Sequence, residues 1–246
     1  MSPAASQTTY LVELQDRRQV AERTMAFQFE RPEGFTFTAG QSIDMTLINP
    51  SETDGEGNGR AFSIASAPDE GLLLVATRMR DTAFKRVLGA MPIGSQVKIE
   101  GPFGNLVLHH DHARAGVFLA GGIGITPFRS ILLRAAREQL PHRLFLFYAN
   151  RRPEDAPFLQ ELEALQRQNP SYTFVPTTTD MSRSDRSWQG ETGRINQEML
   201  AKHLKSAASP IYYMAGPPGM VGAMRTLLNS MGLNDDDIRT EEFAGY

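Results

Sequence analysis

The sequence predicts a two-domain chain: an N-terminal antiparallel β-barrel, then a C-terminal α/β domain built on a doubly wound parallel sheet. Three observations predict it. From Thr9 to about Leu108, short segments alternate apolar and polar residues between turns, as half-buried antiparallel strands do. After His109-His110-Asp111-His112, strand-like apolar runs alternate with amphipathic helical segments, the pattern of right-handed βαβ crossovers. Within that half, Ala120-Gly121-Gly122-Ile123-Gly124-Ile125-Thr126-Pro127 links a buried strand to a helix, and ligands of doubly wound sheets sit beyond such strand ends. The expected domains are 1–112 and 113–246, each large enough to bury a core.

In the first half, strands are expected over 10–14, 25–29, 43–47, 61–66, 72–78 and 96–100, with one short helix over 82–88. Pro32-Glu33-Gly34 and the polar loop 49–59 supply breaks. Six strands and a helix fit a small closed barrel. In the second half, strands are expected over 117–120, 144–148, 172–175, 211–214 and 238–241, and helices over 127–139, 156–168, 195–204 and 218–230. The first of these helices places Phe128, Ile131, Leu132 and Ala135 on one face, with Thr126 suited to cap it and Pro127 to its first turn.

The composition excludes whole classes of chemistry. The absence of cysteine removes disulfides, thiolate catalysis, Cys-ligated zinc and Cys-ligated iron–sulfur clusters, so redox chemistry must ride on an organic cofactor. A net charge of −3 gives no reason to expect nucleic acid as a partner. Glycines, Pro127 and Arg129 interrupt the apolar stretch 117–133, so no membrane span is expected. The first residues lack the pattern of a signal peptide, and a cytoplasmic location is the expectation. His109, His110 and His112 fit no standard metal spacing and read as a solvated linker; no metal is expected.

Two segments carry chemistry. Gly121, Gly122 and Gly124 permit close backbone approach, and the helix N-terminus that follows favours an anion such as a pyrophosphate. In Arg60-Ala61-Phe62-Ser63, an arginine suits a phosphate, an aromatic ring can pack on a planar ring, and a hydroxyl can bond a ring nitrogen.

Together these segments resemble the ferredoxin-NADP reductase superfamily. Arg60-x-Phe62-Ser63 is similar to its Arg-x-Tyr-Ser flavin motif, and Gly101-Pro102-Phe103-Gly104 to its Gly-Pro-x-Gly turn. Gly121 to Pro127 resembles its nicotinamide-nucleotide loop, Met214 to Met220 its Cys-Gly-Pro-Pro-x-Met segment, and Glu241 to Tyr246 the endings that lie over the flavin. The resemblance implies FAD on the barrel and NAD(P)H on the second domain. By the same motifs, Arg60, Phe62, Ser63, Thr77 and Thr82 would hold the flavin, with Ser63 near its reactive N5. Gly121, Gly122, Gly124 and Thr126 would cradle the NAD(P)H pyrophosphate, and Gly216, Pro217 and Met220 would line the nicotinamide side. Glu241 or Glu242 would relay a proton, and Tyr246 or Phe243 would cover the flavin. Two residues depart from the family pattern: Phe62 lacks the usual tyrosine hydroxyl, and Ala215 replaces the usual cysteine.

The choice between NADH and NADPH is expected in the loop after residue 175. There Asp180 favours a ribose hydroxyl, while Ser182, Arg183 and Arg186 favour a 2′-phosphate. Arg78, Arg80, Lys85 and Arg86 form a basic cluster that reads as a solvated face or as a docking patch for a small acidic carrier, ferredoxin or flavodoxin. The expected function is an FAD-dependent NAD(P)H oxidoreductase passing electrons to such a separate acceptor. The competing readings are a free-flavin or ferric reductase, an electron-transfer subunit, and a non-catalytic flavin or nucleotide sensor.

Overall fold

The structure, a computed structural model, describes residues 8–205 and 207–243. The first sheet comprises β1 (Thr9–Ala21), β2 (Thr24–Glu30), β3 (Ser42–Leu47), β4 (Gly59–Ser63), β5 (Leu72–Arg78) and β6 (Gln96–Phe103), with α1 (Ala83–Ala90) between β5 and β6. Its order is β4-β3-β6-β1-β2-β5, with every pairing antiparallel. The outer strands meet where Ala65 N–H donates to Leu74 O at 2.7 Å and Leu74 N–H donates to Ser66 Oγ at 3.0 Å, closing the sheet into a barrel. Alternate residues of these strands fill the inside: Val12 and Leu14, Phe27 and Phe29, Ile43 and Met45, Val97 and Ile99. Strand β1 runs well beyond its apolar stretch, because Asp16–Ala21 pair with β2 by backbone bonds alone across the turn at Glu22-Arg23.

The second sheet comprises β7 (Gly116–Gly121), β8 (Leu144–Asn150), β9 (Tyr172–Thr178), β10 (Glu191–Thr192), β11 (Ile211–Gly216) and β12 (Ile238–Glu242). Helices α2 (Ile125–Arg137), α3 (Leu159–Gln168), α4 (Gln197–His203) and α5 (Pro218–Ser230) supply the connections. The order β10-β9-β8-β7-β11-β12 is parallel throughout. The chain winds outward from β7 through β10 and then resumes on the other side of β7. The switch point therefore lies between the carboxyl ends of β7 and β11, where a doubly wound sheet opens a crevice. Strand β10, with two residues, is too short to show an alternation in the sequence.

The domains are locked together by polar side chains from α2. Arg129, whose charge reads in the sequence as a break in an apolar run, is 3% exposed. Its Nε and Nη2 each donate to the Glu161 carboxylate at 2.7 Å, and its Nη1 donates across the boundary to Ala65 O at 2.6 Å and Glu70 Oε2 at 3.2 Å. Next to it, Ser130 Oγ donates to Ser66 O at 2.6 Å. Farther along, Arg152 pairs with Glu22.

Of the histidine run between the domains, His110 and His112 are exposed, as a solvated linker would be, but His109 is not. His109 is buried: its ring lies 2.8 Å from Tyr213 Oη through Nδ1 and 3.1 Å from Arg114 O through Nε2. His142 Nε2 donates to His109 O at 2.9 Å. Tyr213 on β11 and His142 ahead of β8 draw His109 inward, contacts that arise from distant sequence. No group of metal-ligating side chains occurs among the described residues.

Breaking a buried ion pair from one side leaves its partners uncompensated. Arg129→Met should therefore cost about 3 kcal/mol, the lower end for such a loss because Glu161 and Glu70 keep partial access to water. Urea unfolding of the variant checks this, and a midpoint equal to that of the parent chain would refute it.

Candidate functional site

A cavity of about 910 Å³ lies between the domains, lined by Arg23, Arg78 and Arg80 of the barrel and by the carboxyl ends of β7, β8 and β9. Its size suits a large organic ligand. Gly121 and Gly122 line its middle, Pro217 and Met220 one end, and Arg151, Thr179 and Arg194 the other.

The glycines at the switch point serve different ends. A Cβ on Gly124 would lie 2.2 Å from Ala215 O, and one on Gly121 would lie 2.2 Å from Met220 Sδ. Gly124 therefore owes its identity to packing against the backbone of β11, whereas Gly121 faces the flexible Met220 side chain at the start of α5. Gly216 is pressed against Gly121 from the other strand. Gly122, at φ 53°, gives the chain a left-handed residue at the cavity wall. Helix α2 is entered through a 3-10 turn at Gly122–Gly124. Thr126 is consequently not its cap: the side chain is buried inside the first turn and Oγ1 donates to Ile123 O at 3.0 Å.

On the barrel side, Phe62 is buried with its ring 6.0 Å from that of Phe84, and the Arg60 guanidinium stacks 5.0 Å over Phe84. Ser63 ends β4, and its buried hydroxyl faces the Glu241 carboxyl of β12 in a geometry short of a formed hydrogen bond. Burial pushes the Glu241 carboxyl up to about 7, against a smaller lowering by Ser63. Of the two adjacent glutamates, Glu241 thus meets Ser63, while Glu242 lies exposed. Phe243 follows, its N–H donating to Gly216 O at 3.1 Å, and packs on the central core. Tyr246 lies outside the described residues.

Three polar atoms on this side are buried without a hydrogen-bond partner among the described residues: Ser63 Oγ, Thr82 Oγ1 and Arg80 Nε. Stranded buried groups of this kind call for a polar ligand. A hydroxyl, a hydroxyl and a guanidinium donor fit the polar ring edge and phosphates of a flavin dinucleotide. Thr77 is buried on β5, and its hydroxyl turns to the neighbouring Arg78 O at 3.5 Å. Thr82 occupies the N-cap position of α1 without capping it; Asp54, from the polar loop, accepts from Ala83 N–H at 2.7 Å instead.

The basic cluster divides. Arg86 is tied to Glu52 and Asp81, and Lys85 is buried with Nζ on Arg78 O, its ammonium lowered to about 8 by burial and by Arg80. Arg78 and Arg80 face the cavity, so these four residues form no single exposed docking patch. The nucleotide loop also differs from expectation. Asp180 accepts from the N–H of Ser182 at 3.1 Å and from its hydroxyl at 2.6 Å, and neither Asp180 nor Arg183 lines the cavity. Arg151 and Arg194 line it, and neither guanidinium has a hydrogen-bond or ion-pair partner among the described residues. Their positions, directly after β8 and just beyond β10, carry no motif that would single them out in the sequence.

Residues 118–226 match the family described as oxidoreductase NAD-binding domain. Among curated proteins, the chain is 28% identical over 201 residues to the F subunit of the Na(+)-translocating NADH-quinone reductase of Haemophilus influenzae (strain 86-028NP), covering 76% of this chain and 48% of the relative. Its counterpart in Klebsiella pneumoniae subsp. pneumoniae is 29% identical, with 76% and 49% covered. The chain spans about half the length of these relatives. Among solved structures, the Neisseria gonorrhoeae ferredoxin NADP+ reductase with bound FAD and NADP superposes with a TM-score of 0.78 at 24% identity, covering 95% of this chain and 98% of that one. The Amycolatopsis cytochrome P450 reductase GcoB gives 0.80 at 20% identity, covering 97% and 71%. No helix among the described residues is long and apolar enough to cross a membrane.

If Gly124 is a packing residue, its loss is felt without any ligand. Gly124→Ala should destabilise the ligand-free chain by about 3 kcal/mol, since the clash is with backbone that cannot rotate away. An unchanged denaturation midpoint would return Gly124 to a purely ligand-facing role.

Proposed function

We propose, from the premise that this chain carries an oxidoreductase NAD-binding domain on the two-domain fold of the ferredoxin-NADP reductase superfamily, that it oxidises NAD(P)H through barrel-bound FAD and passes the electrons to a separate acceptor. The observation that carries this reading is the convergence of two strand ends at one crevice. Ser63 closes β4 of the barrel and faces Glu241 of β12, beside the glycine-lined switch point. FAD, when bound, supplies the step from a two-electron donor to one-electron delivery. The side chains orient and protonate. Phe62 and Ser63 orient the flavin ring, while Arg60, Arg80, Thr77 and Thr82 serve its ribityl and phosphate portion. Gly121, Gly122 and Gly216 admit the nicotinamide nucleotide, with Pro217 and Met220 toward the nicotinamide. Glu241, ionising near neutrality, holds or releases a proton beside Ser63, whereas exposed Glu242 does not.

The nucleotide is NADPH in this reading. With the nicotinamide toward Pro217 and the pyrophosphate at Gly122, the adenosine ribose falls at the end of the cavity formed by Arg151, Thr179 and Arg194. NADH would set a neutral ribose between those two guanidinium groups, whereas a 2′-phosphate would pair with both. The acceptor proposed is a small acidic carrier of the ferredoxin or flavodoxin type. Membership in a larger reductase assembly is a second reading, favoured by the relatives named as subunits and by their greater length.

A purified chain carrying FAD should bleach on anaerobic addition of NADPH, and retention of its colour with both nucleotides would refute the oxidoreductase reading. Replacing both Arg151 and Arg194 by alanine should lower kcat/KM for NADPH by about 10²-fold, the scale of charge-assisted contacts to one phosphate, and leave that for NADH nearly unchanged. An equal fall for both nucleotides would refute the assignment of these arginines. Glu241→Gln should reduce turnover by about 10²-fold and remove an ionisation near pH 7 from the profile, because the native carboxyl is protonated below about 7 and ionised above it. A pH profile identical to that of the parent chain would exclude Glu241 as the proton carrier.

A further inference from the structure

Arg60 and the first N–H of α1 are the two anion-binding groups nearest the stranded Thr82 and Arg80, and both are already in use. The loop between β3 and β4 carries Glu52, Asp54 and Glu56 at alternate positions. Asp54 Oδ2 accepts from Ala83 N–H at 2.7 Å, at the positive end of α1. Glu56 Oε2 lies 2.8 Å from Arg60 Nη2 and 3.8 Å from Arg80 Nη2. The other terminal nitrogen of Arg60 donates to the carbonyls of Glu56, Gly57 and Gly59 at 2.8, 3.2 and 2.6 Å. A phosphate can reach either group only by displacing a carboxylate.

We infer that the segment from Glu52 to Gly57 is a built-in stand-in for the pyrophosphate of the dinucleotide, with Asp54 and Glu56 occupying the groups that its two phosphates take when FAD loads. The inference rests on the flavin reading of the barrel. Two carboxylates carry the same charge as the two ionised phosphates of a dinucleotide. The loop supplies that charge while leaving Arg80 Nε and Thr82 Oγ1 without partners, so it occupies the site without completing its hydrogen bonding.

The segment is also built to leave. Residues 51–57 are all exposed, so no apolar anchor holds them down. What retains them is a short turn, in which Asp54 accepts from Glu56 N–H and Gly57 N–H, the hydrogen bonds of Ala83 N–H to Asp54 and of Arg60 to the loop carbonyls, and ion pairs open to water. Such pairs are individually weak. Glu52, doubly bonded to Arg86 at 2.9 and 2.5 Å, tethers the loop at its other end while Asp54 and Glu56 exchange.

The test is uptake of FAD by the apoprotein, followed by quenching of flavin fluorescence. Glu56→Gln removes the competing charge at an exposed position and should lower the Kd for FAD about two- to fivefold, the scale of one partly exposed ion pair. Saturating the wild-type apoprotein with FAD should speed cleavage after Glu56 by a glutamate-specific protease. An equal or weaker affinity of Glu56→Gln for FAD, or protection of the loop from cleavage by FAD, would overturn the inference alone. Failure of the wild-type apoprotein to bind FAD would overturn the flavin reading and the inference with it.

Discussion

The Arg129 guanidinium is the constraint on which the rest of the molecule depends. It belongs to the first helix of the nucleotide domain, yet it reaches a carbonyl and a carboxylate of the barrel, and its remaining donors are taken by Glu161. A cation so deeply enclosed is tolerable only when every donor is matched. That requirement ties α2, α3 and the segment Ala65–Glu70 to one relative placement. Strands β4 and β12 then meet at their ends, and the cavity between the sheets acquires fixed walls. Ser130 and the Arg152–Glu22 pair fasten the same boundary at neighbouring points.

The two sheets were legible in the sequence because each rests on a periodicity that reports burial directly. Alternation marks the barrel strands, and continuous apolar runs mark β7, β8 and β11, which are covered on both faces. The glycine segment was also legible, although for Gly124 the reason is packing against the backbone of β11 rather than ligand contact. What escaped was whatever depends on pairing between distant segments. Adjacent glutamates on a strand point to opposite faces, so the choice of Glu241 over Glu242 is set by the register of β12 on β11, Ala215 opposite Glu241. Arg151 and Arg194 lie just beyond separate strands and share a cavity only because β10 lies beside β9 and β9 beside β8. His109 reads as polar surface until Tyr213 supplies its partner.

The charges around the cavity contrast with those elsewhere on the interface. Several arginines outside it are matched: Arg86 by Glu52, Arg114 by Asp237, Arg137 by Asp69. Inside the cavity, Arg151 and Arg194 have no such partner among the described residues, in a chain whose formal charge is −3. Clefts with low-dielectric walls concentrate the field of such unmatched cations. An anionic ligand is drawn toward this cavity even though the protein as a whole repels it.

The meeting of Ser63 with Glu241 has a consequence for biosynthesis. Domains fold as units, the N-terminal one first as the chain emerges. The barrel strands are complete by Phe103, so the barrel has all of its own backbone partners long before β12 is made. Ser63 must wait for the rest of the sheet, since β12 can dock only on a β11 that is already beside β7. A partly synthesised or C-terminally clipped chain would therefore display a well-formed barrel whose Ser63 has no Glu241 carboxyl to face. The order of translation thus separates the moment when the barrel is formed from the moment when the crevice between the domains is complete.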